Sequence, residues 1–348
     1  MKGWLLVKRS LLVFLIGVSV QVIAEESIPV PKTAQQWLGR VAESTKLWTY
    51  RGVLVYQVGT RLETLAVTHD VESGGVKERV LYLDGLPREM VRNGDKLTYS
   101  TLNNGVTQFE HNSLVPMLGK FSGIAPERFY KVEFARQQID RVAGREAAVI
   151  DIVPVDRFRY GYRLWVDVYS GLPLKSIMLD SHSNIIERLQ FTHIEPGVTL
   201  SEPEKAAMEK HNTQNKDIVD MQPVVKQGGI WGWEAGWVPE GFVVQHASQR
   251  PSPVSDHKTD AVIFSDGIAS FSVFVEPDET RVLSQAAEKV GSLAAVSKVF
   301  RNGETYFHVT VVGEVPLGTA ERVAVSVRPV KASGTNQTPV LPAKKVVK

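Results

Sequence analysis

Residues 264–277, reading FSDGIASFSVFVEP, decide the architecture of this chain. Asp266-Gly267 is a dipeptide suited to the positive φ angles of a two-residue hairpin turn, which sets Phe264 opposite Ala269 and Val262 opposite Phe271. Alternation then places Val262, Phe264, Ala269, Phe271, Val273 and Val275 on one apolar face. The other face mixes Ser265, Ser270 and Ser272 with Ile263, Ile268 and Phe274. The side chains of this hairpin are built for packing and offer no catalytic group.

The same grammar extends through the rest of the chain. Short β-branched and aromatic runs from Tyr50 onward are broken by Gly59, Gly74-Gly75, Asp84-Gly85, Asn93-Gly94 and Asn104-Gly105, which predicts successive hairpins. An Asn93-Gly94 turn sets Met90 against Leu97 and Arg88 against Tyr99. Five further strands are expected over 129–139, 147–153, 162–168, 174–179 and 185–192. Before them, 114–128 carries Pro116, Gly119, Gly123 and Pro126 and reads as short helices or a flap. One amphipathic helix precedes the strands: Thr33 and Gln36 form a capping box, and Ala34, Trp37, Leu38, Val41 and Ala42 recur at helical spacing. So many hairpin strands with so few helices favour an open antiparallel barrel wrapped on helices over a sandwich. The class is α+β, mostly β.

A chain of 348 residues exceeds what one core usually organises. The polar segment 199–229 reads as a linker, partly helical. It separates a first domain (25–198) from a smaller α/β domain (230–328), with strands near 242–248, 261–264, 268–275, 294–300 and 305–312 and helices near 281–290 and 319–327. The tail 329–348 has the composition of a disordered segment.

The N-terminus reads as a cleaved signal peptide over 1–24: Lys2, Lys8 and Arg9 precede the apolar run 11–20, and Val22-Ile23-Ala24 resembles a peptidase site. That apolar run is shorter than the roughly 20 residues a membrane span needs. An exported chain without cysteine has no disulfides, no lipidated cysteine, no thiolate zinc site and no thiol nucleophile. A net charge of +2 selects no class of partner.

No nucleophile elbow, phosphate-cradling loop or zinc helix is present in the sequence, and the eight histidines are dispersed. Catalytic, cofactor and metal residues are therefore not assigned. Two constellations point to binding. In 157–165, RFRYGYRLW, strand alternation puts Arg157, Arg159 and Arg163 on one side, where they meet lipid phosphates or acidic groups of a partner, or form an ordinary solvated basic face. Export argues against nucleic acid. Trp231, Trp233 and Trp237 open the second domain and, with Phe274, are candidates for a partner or interdomain contact.

Ordered fragments carry a family resemblance: YRGVLVY at 50–56, the stretch ending DGLPRE at 84–89, GYRLWVD at 161–167, GLPLKS at 171–176, VPEGF at 238–242, the hairpin itself, and HVTVVGEVP at 308–316. Together they resemble the RseB/MucB regulators of sigma-E. The resemblance implies a LolA/LolB-like open barrel plus a small domain, in the periplasm. It also implies a partner, the periplasmic domain of an RseA/MucA-like anti-sigma factor, that is shielded from site-1 proteolysis and released on sensing lipid or lipopolysaccharide. A lipid or lipoprotein carrier is the alternative that the same fold leaves open. Oligomeric state stays open.

Overall fold

The computed structural model describes residues 30–71, 75–93, 96–101, 105–110, 121, 128–209, 233–251, 258–277 and 285–329. The signal peptide expected over 1–24, most of the short helices or flap expected over 114–128, Trp231 and residues 330–348 of the expected tail lie outside the described residues.

Helix α1 (Ala34–Leu47) starts where the capping box predicts: the Gln36 backbone N–H donates to Thr33 Oγ1 and the Thr33 N–H donates to Gln36 Oε1, both at 3.2 Å. Its buried stripe is Ala34, Trp37, Leu38, Val41 and Ala42. Burying each of the larger three contributes about 2 kcal/mol.

The strands that follow form one eleven-stranded antiparallel sheet in the order β6-β5-β4-β3-β2-β1-β11-β10-β9-β8-β7. The first meander is β1 (Tyr50–Val58), β2 (Arg61–Asp70), β3 (Lys77–Tyr82), β4 (Arg88–Asn93), β5 (Lys96–Thr101) and β6 (Gly105–Glu110). The second is β7 (Tyr130–Val142), β8 (Arg145–Pro154), β9 (Gly161–Asp167), β10 (Pro173–Leu179) and β11 (Ile185–Pro196). The two meanders join where β1 pairs with β11, and β6 and β7 end the sheet unpaired with each other, so the barrel is open as the sequence implies.

One face of the sheet packs under α1 and carries Leu54, Leu65, Val67, Val80, Ile150, Leu164 and Leu189. His69 ties the helix end to it: its Nε2 lies 2.8 Å from the Thr45 carbonyl and its Nδ1 2.9 Å from Glu78 Oε1, while Arg92 Nε donates to Glu78 Oε2 at 2.9 Å. The β4–β5 register differs from the expected one. Met90 faces Tyr99 and Arg88 faces Thr101, because Asn93 still pairs, with Lys96, and the turn falls one residue later. A two-residue change of partner leaves every side chain on its predicted face.

The 199–229 segment is not all linker. Helix α2 (Glu202–Glu209) folds back on the first sheet, burying Met208, and pairs Glu204 with Arg51 at 3.2 Å and Glu209 with Lys77 at 3.1 Å.

A second, six-stranded sheet runs β13-β14-β15-β18-β17-β16, built from β13 (Val243–Pro251), β14 (Lys258–Ser265), β15 (Ser270–Pro277), β16 (Ala286–Val290), β17 (Leu293–Asn302) and β18 (Thr305–Gly313). Helix α3 (Leu317–Ser326) covers one face through Ala320, Val323 and Ala324, and β12 (Trp233–Ala235) pairs with β19 (Val327–Pro329) beside it. The helix expected over 281–290 is corrected: 286–290 is the edge strand β16, all five side chains exposed and paired from Ala286↔Ser297 to Val290↔Leu293. Local helical propensity in AAEKV loses to the free edge of β17, which a reverse turn at Gly291 brings within reach.

Candidate functional site

The hairpin that opens the sequence reading becomes β14 and β15, but its register is Phe264↔Phe271 and Val262↔Val273. The loop holds four residues, not two. Gly267 alone takes a positive φ, of 99°. The Asp266 carboxylate sets the rest: its Oδ1 accepts from the backbone N–H groups of Ile268 at 2.9 Å and Ala269 at 2.8 Å. An Asx-type loop thus replaces the two-residue turn. The predicted apolar face survives, since Phe264, Ala269, Phe271, Val273 and Val275 are all core of the second sheet.

The loop leaves its own sheet and enters the other. Ile268 packs in the hydrophobic cluster of the eleven-stranded sheet. Beside it, Asp266 Oδ2 accepts from Arg159 Nη1 at 2.8 Å and from the Tyr130 hydroxyl at 3.0 Å. The Arg159 and Asp266 side chains are both 0% exposed. Taking two charges out of water costs several kcal/mol per ion, which only full hydrogen bonding offsets. Arg159 is so satisfied: Nη2 donates to the Glu240 carbonyl at 2.6 Å, Nε approaches Asp156 Oδ1 at 3.3 Å, and the rings of Phe129, Phe242 and Tyr130 lie 5.0, 5.0 and 5.5 Å from its guanidinium carbon. Burial, then the charge of Asp266, pushes the Tyr130 hydroxyl well above its ordinary pKa, so it stays a donor.

A second contact lies next to the first. Phe158 meets Trp237 edge to face at 5.0 Å, Arg322 stacks over Trp237 at 4.0 Å, and Thr319 Oγ1 donates to the Phe158 carbonyl at 3.1 Å. Gly241, at φ 93°, brings the chain flat against the Phe129 ring, where any Cβ collides.

Phenols line the nearby core face of the first sheet. Tyr56 donates to Glu187 Oε1 at 2.6 Å, and burial, then the Glu187 charge, raises its pKa. Tyr160 is pushed up to about 12, mainly by burial and then by Asp180 and Glu314. Both phenols therefore stay protonated at neutral pH and are poor proton carriers, and the buried Tyr160 hydroxyl has no hydrogen-bond partner among the described residues. Among the described residues no cluster of three His, Asp or Glu is placed to hold a metal.

The structure separates the predicted site residues. Arg159 is corrected: 155–159 is a run of bends, strand alternation starts only at Gly161, and Arg159 turns inward to Asp266, so it is closed to any external phosphate. Arg157 is exposed, its guanidinium carbon 5.7 Å from the Phe158 ring. Arg163 lies on the outer face of the sheet, held by both oxygens of Asp151 at 2.6 and 2.9 Å. Trp233 is core, its indole N–H bonded to Asp260 Oδ2 at 3.1 Å. Trp237 makes the contact between the sheets just described. Phe274 is half-buried, facing Ala261 and Thr310 on the side of the second sheet away from Phe271 and Val273. The sequence reading missed Asp266, Tyr130, Glu240 and Arg322; Asp266 was visible only as a turn residue.

An open sheet and a helix-backed sheet, fastened by a buried ion pair, define a class of two-part scaffold. Two family models match: the MucB/RseB N-terminal domain over residues 33–213 and the MucB/RseB C-terminal domain over residues 229–328. The chain belongs to the MucB/RseB family. It is 36% identical over 301 residues to the sigma factor AlgU regulatory protein MucB of Pseudomonas aeruginosa PAO1, covering 86% of this chain and 92% of that protein. It is 25% identical over 305 residues to the sigma-E factor regulatory protein RseB of Haemophilus influenzae Rd, covering 85% and 91%. Among solved structures, a chain of the Pseudomonas aeruginosa MucA/MucB complex is 33% identical, with a TM-score of 0.67 and coverage of 85% of this chain and 98% of that one.

Proposed function

We propose that this protein is a periplasmic regulator that binds the periplasmic domain of an RseA/MucA-type anti-sigma factor, shields it from site-1 proteolysis and releases it on sensing lipid or lipopolysaccharide, so restraining the sigma-E response. The observation that carries this reading is the similarity, nearly end to end, to a chain solved in the MucA/MucB complex. Its two-sheet architecture supports it, because a polypeptide laid across both sheets gains contacts from each.

The reading needs differential affinity: a lipid releases the partner only by binding a state the partner disfavours. The core face of the first sheet supplies an apolar lining for acyl chains, with Arg157 and Arg163 as the remaining candidates for acidic groups. Trp237 and Phe274 are the candidates for the anti-sigma segment. The test mixes the purified protein, the periplasmic domain of its anti-sigma factor and the site-1 protease, with and without lipopolysaccharide. Protection that lipopolysaccharide abolishes supports the reading, and no protection at saturating protein overturns it. Copurifying lipid without partner binding identifies a carrier instead.

A further inference from the structure

The outer face of the first sheet carries an arginine whose charge is unmatched. The other half-buried arginines of its strands that lie near acids are each paired: Arg79 with Glu89, Arg88 with Glu63, Arg92 with Glu78, Arg145 with Asp167 and Arg163 with Asp151. Arg188 on β11 has no carboxylate partner among the described residues, and its Nε is buried without an acceptor. Such a group costs free energy until an acceptor arrives.

Strand register places further donors beside it. Ile177 on β10 lies opposite Arg188, and two residues along the same face Lys175 lies opposite Gln190. Lys175 in turn lies opposite Trp165 of β9, with its Nζ 4.2 Å from the ring centroid. Residues two apart on a strand share a face, so Arg188, Gln190 and Lys175 form a triangle of donors over a floor of Ile177 and Trp165, both buried. Burial, then the charge of Arg188, lowers the Lys175 pKa, and the opposing pull of Asp140 does not offset them. The nearby acids are engaged: Asp151 by Arg163, and Asp140 by the Trp165 indole N–H at 2.8 Å and the Arg141 backbone N–H at 2.7 Å.

We propose that Arg188, Lys175 and Gln190 form a binding site for a dianionic phosphate group. A phosphate monoester carries close to two negative charges at neutral pH and several acceptor oxygens, which match two cations and an amide; a carboxylate leaves one cation unmatched. The site lies on the outer face of the first sheet and does not rest on the anti-sigma reading. The phosphate comes either free or on a lipid headgroup.

The experiment titrates the full chain with inorganic phosphate at constant ionic strength and follows the Trp165 indole N–H resonance, identified by its loss in Trp165→Phe. A parallel arm measures cosedimentation with phosphatidylcholine vesicles with and without phosphatidic acid, a lipid phosphate monoester. A saturable shift with free phosphate, or binding that requires phosphatidic acid, supports the site and names the source. In either case Arg188→Gln and Lys175→Gln weaken binding about tenfold or more, the loss of a charge-assisted hydrogen bond. Gln57→Glu, directly opposite Arg188 on β1, supplies an internal carboxylate and competes without removing a cation. No saturable response in either arm overturns the proposal. So does binding that survives both Gln variants, or an equal response to acetate.

Discussion

Asp266 of the second sheet and Arg159 of the first hold each other at 2.8 Å with both side chains wholly buried. They are 107 residues apart in the chain. Neither is satisfied within its own sheet alone, so the pair exists only while the two sheets are docked.

Removing one partner strands the other in a dry site. Asp266→Ala is expected to destabilise the folded protein by about 3–5 kcal/mol, read from urea unfolding. It also frees the sheets to separate, and the cysteine-free chain allows a pair of introduced cysteines, one per sheet, to report the distance by spin labels. A distance distribution as narrow as that of the parent makes the ion pair dispensable for docking.

Phe158→Ala removes the ring that meets Trp237 and lies under Arg322. A loss of about 2 kcal/mol follows from the lost area and aromatic contact. Faster limited proteolysis between the sheets, with each sheet's core still protected in hydrogen exchange, is the expected pattern.

Acid weakens the first sheet at a defined carboxylate. Burial alone raises the Asp167 pKa, but Arg145, at 2.8 and 2.9 Å, and the Ser170 hydroxyl and N–H outweigh it and hold the group below its ordinary value. A depressed folded pKa means stability that is present above the unfolded value, about 3.9, and lost as pH falls through the folded one. Asp167→Asn is therefore expected to be less stable at pH 7 and to show a shallower fall in stability below about pH 4. Parallel pH–stability curves for both proteins refute this.

Phe274→Asp tests the open face of the second sheet. The side chain is half-buried and lies opposite Ala261 and Thr310, away from the Phe271 and Val273 core, so the variant is expected to fold. Weaker capture of the anti-sigma periplasmic domain, with an unchanged circular dichroism spectrum, is the expected result. Parent-like capture removes Phe274 from the interface.

Legibility in the sequence followed the range of the interaction. The capping box at Thr33 and Gln36 and the buried stripe of α1 depend on neighbours within a few turns, and both were readable. The faces of β14 and β15 were readable too, because period-two alternation survives the change from a two-residue turn to a four-residue loop. Strand β16 was not: its residues favour helix locally, and only the edge of β17 overrides them. Arg159 looked like part of a solvated arginine row because alternation was extended through residues that the structure bends.

The sequence by itself determined an open, mostly antiparallel sheet preceded by a capped helix, a second hairpin-based sheet and the family to which both belong, since these rest on local periodicity and on ordered motifs. Tertiary structure alone decided which charges are matched. The sequence placed Arg159 in an arginine row and did not single out Arg188. Arg159 is closed inside the molecule by an aspartate from a distant loop, and Arg188 is left half-buried without an acid among the described residues, because pairing depends on how the sheets close in space.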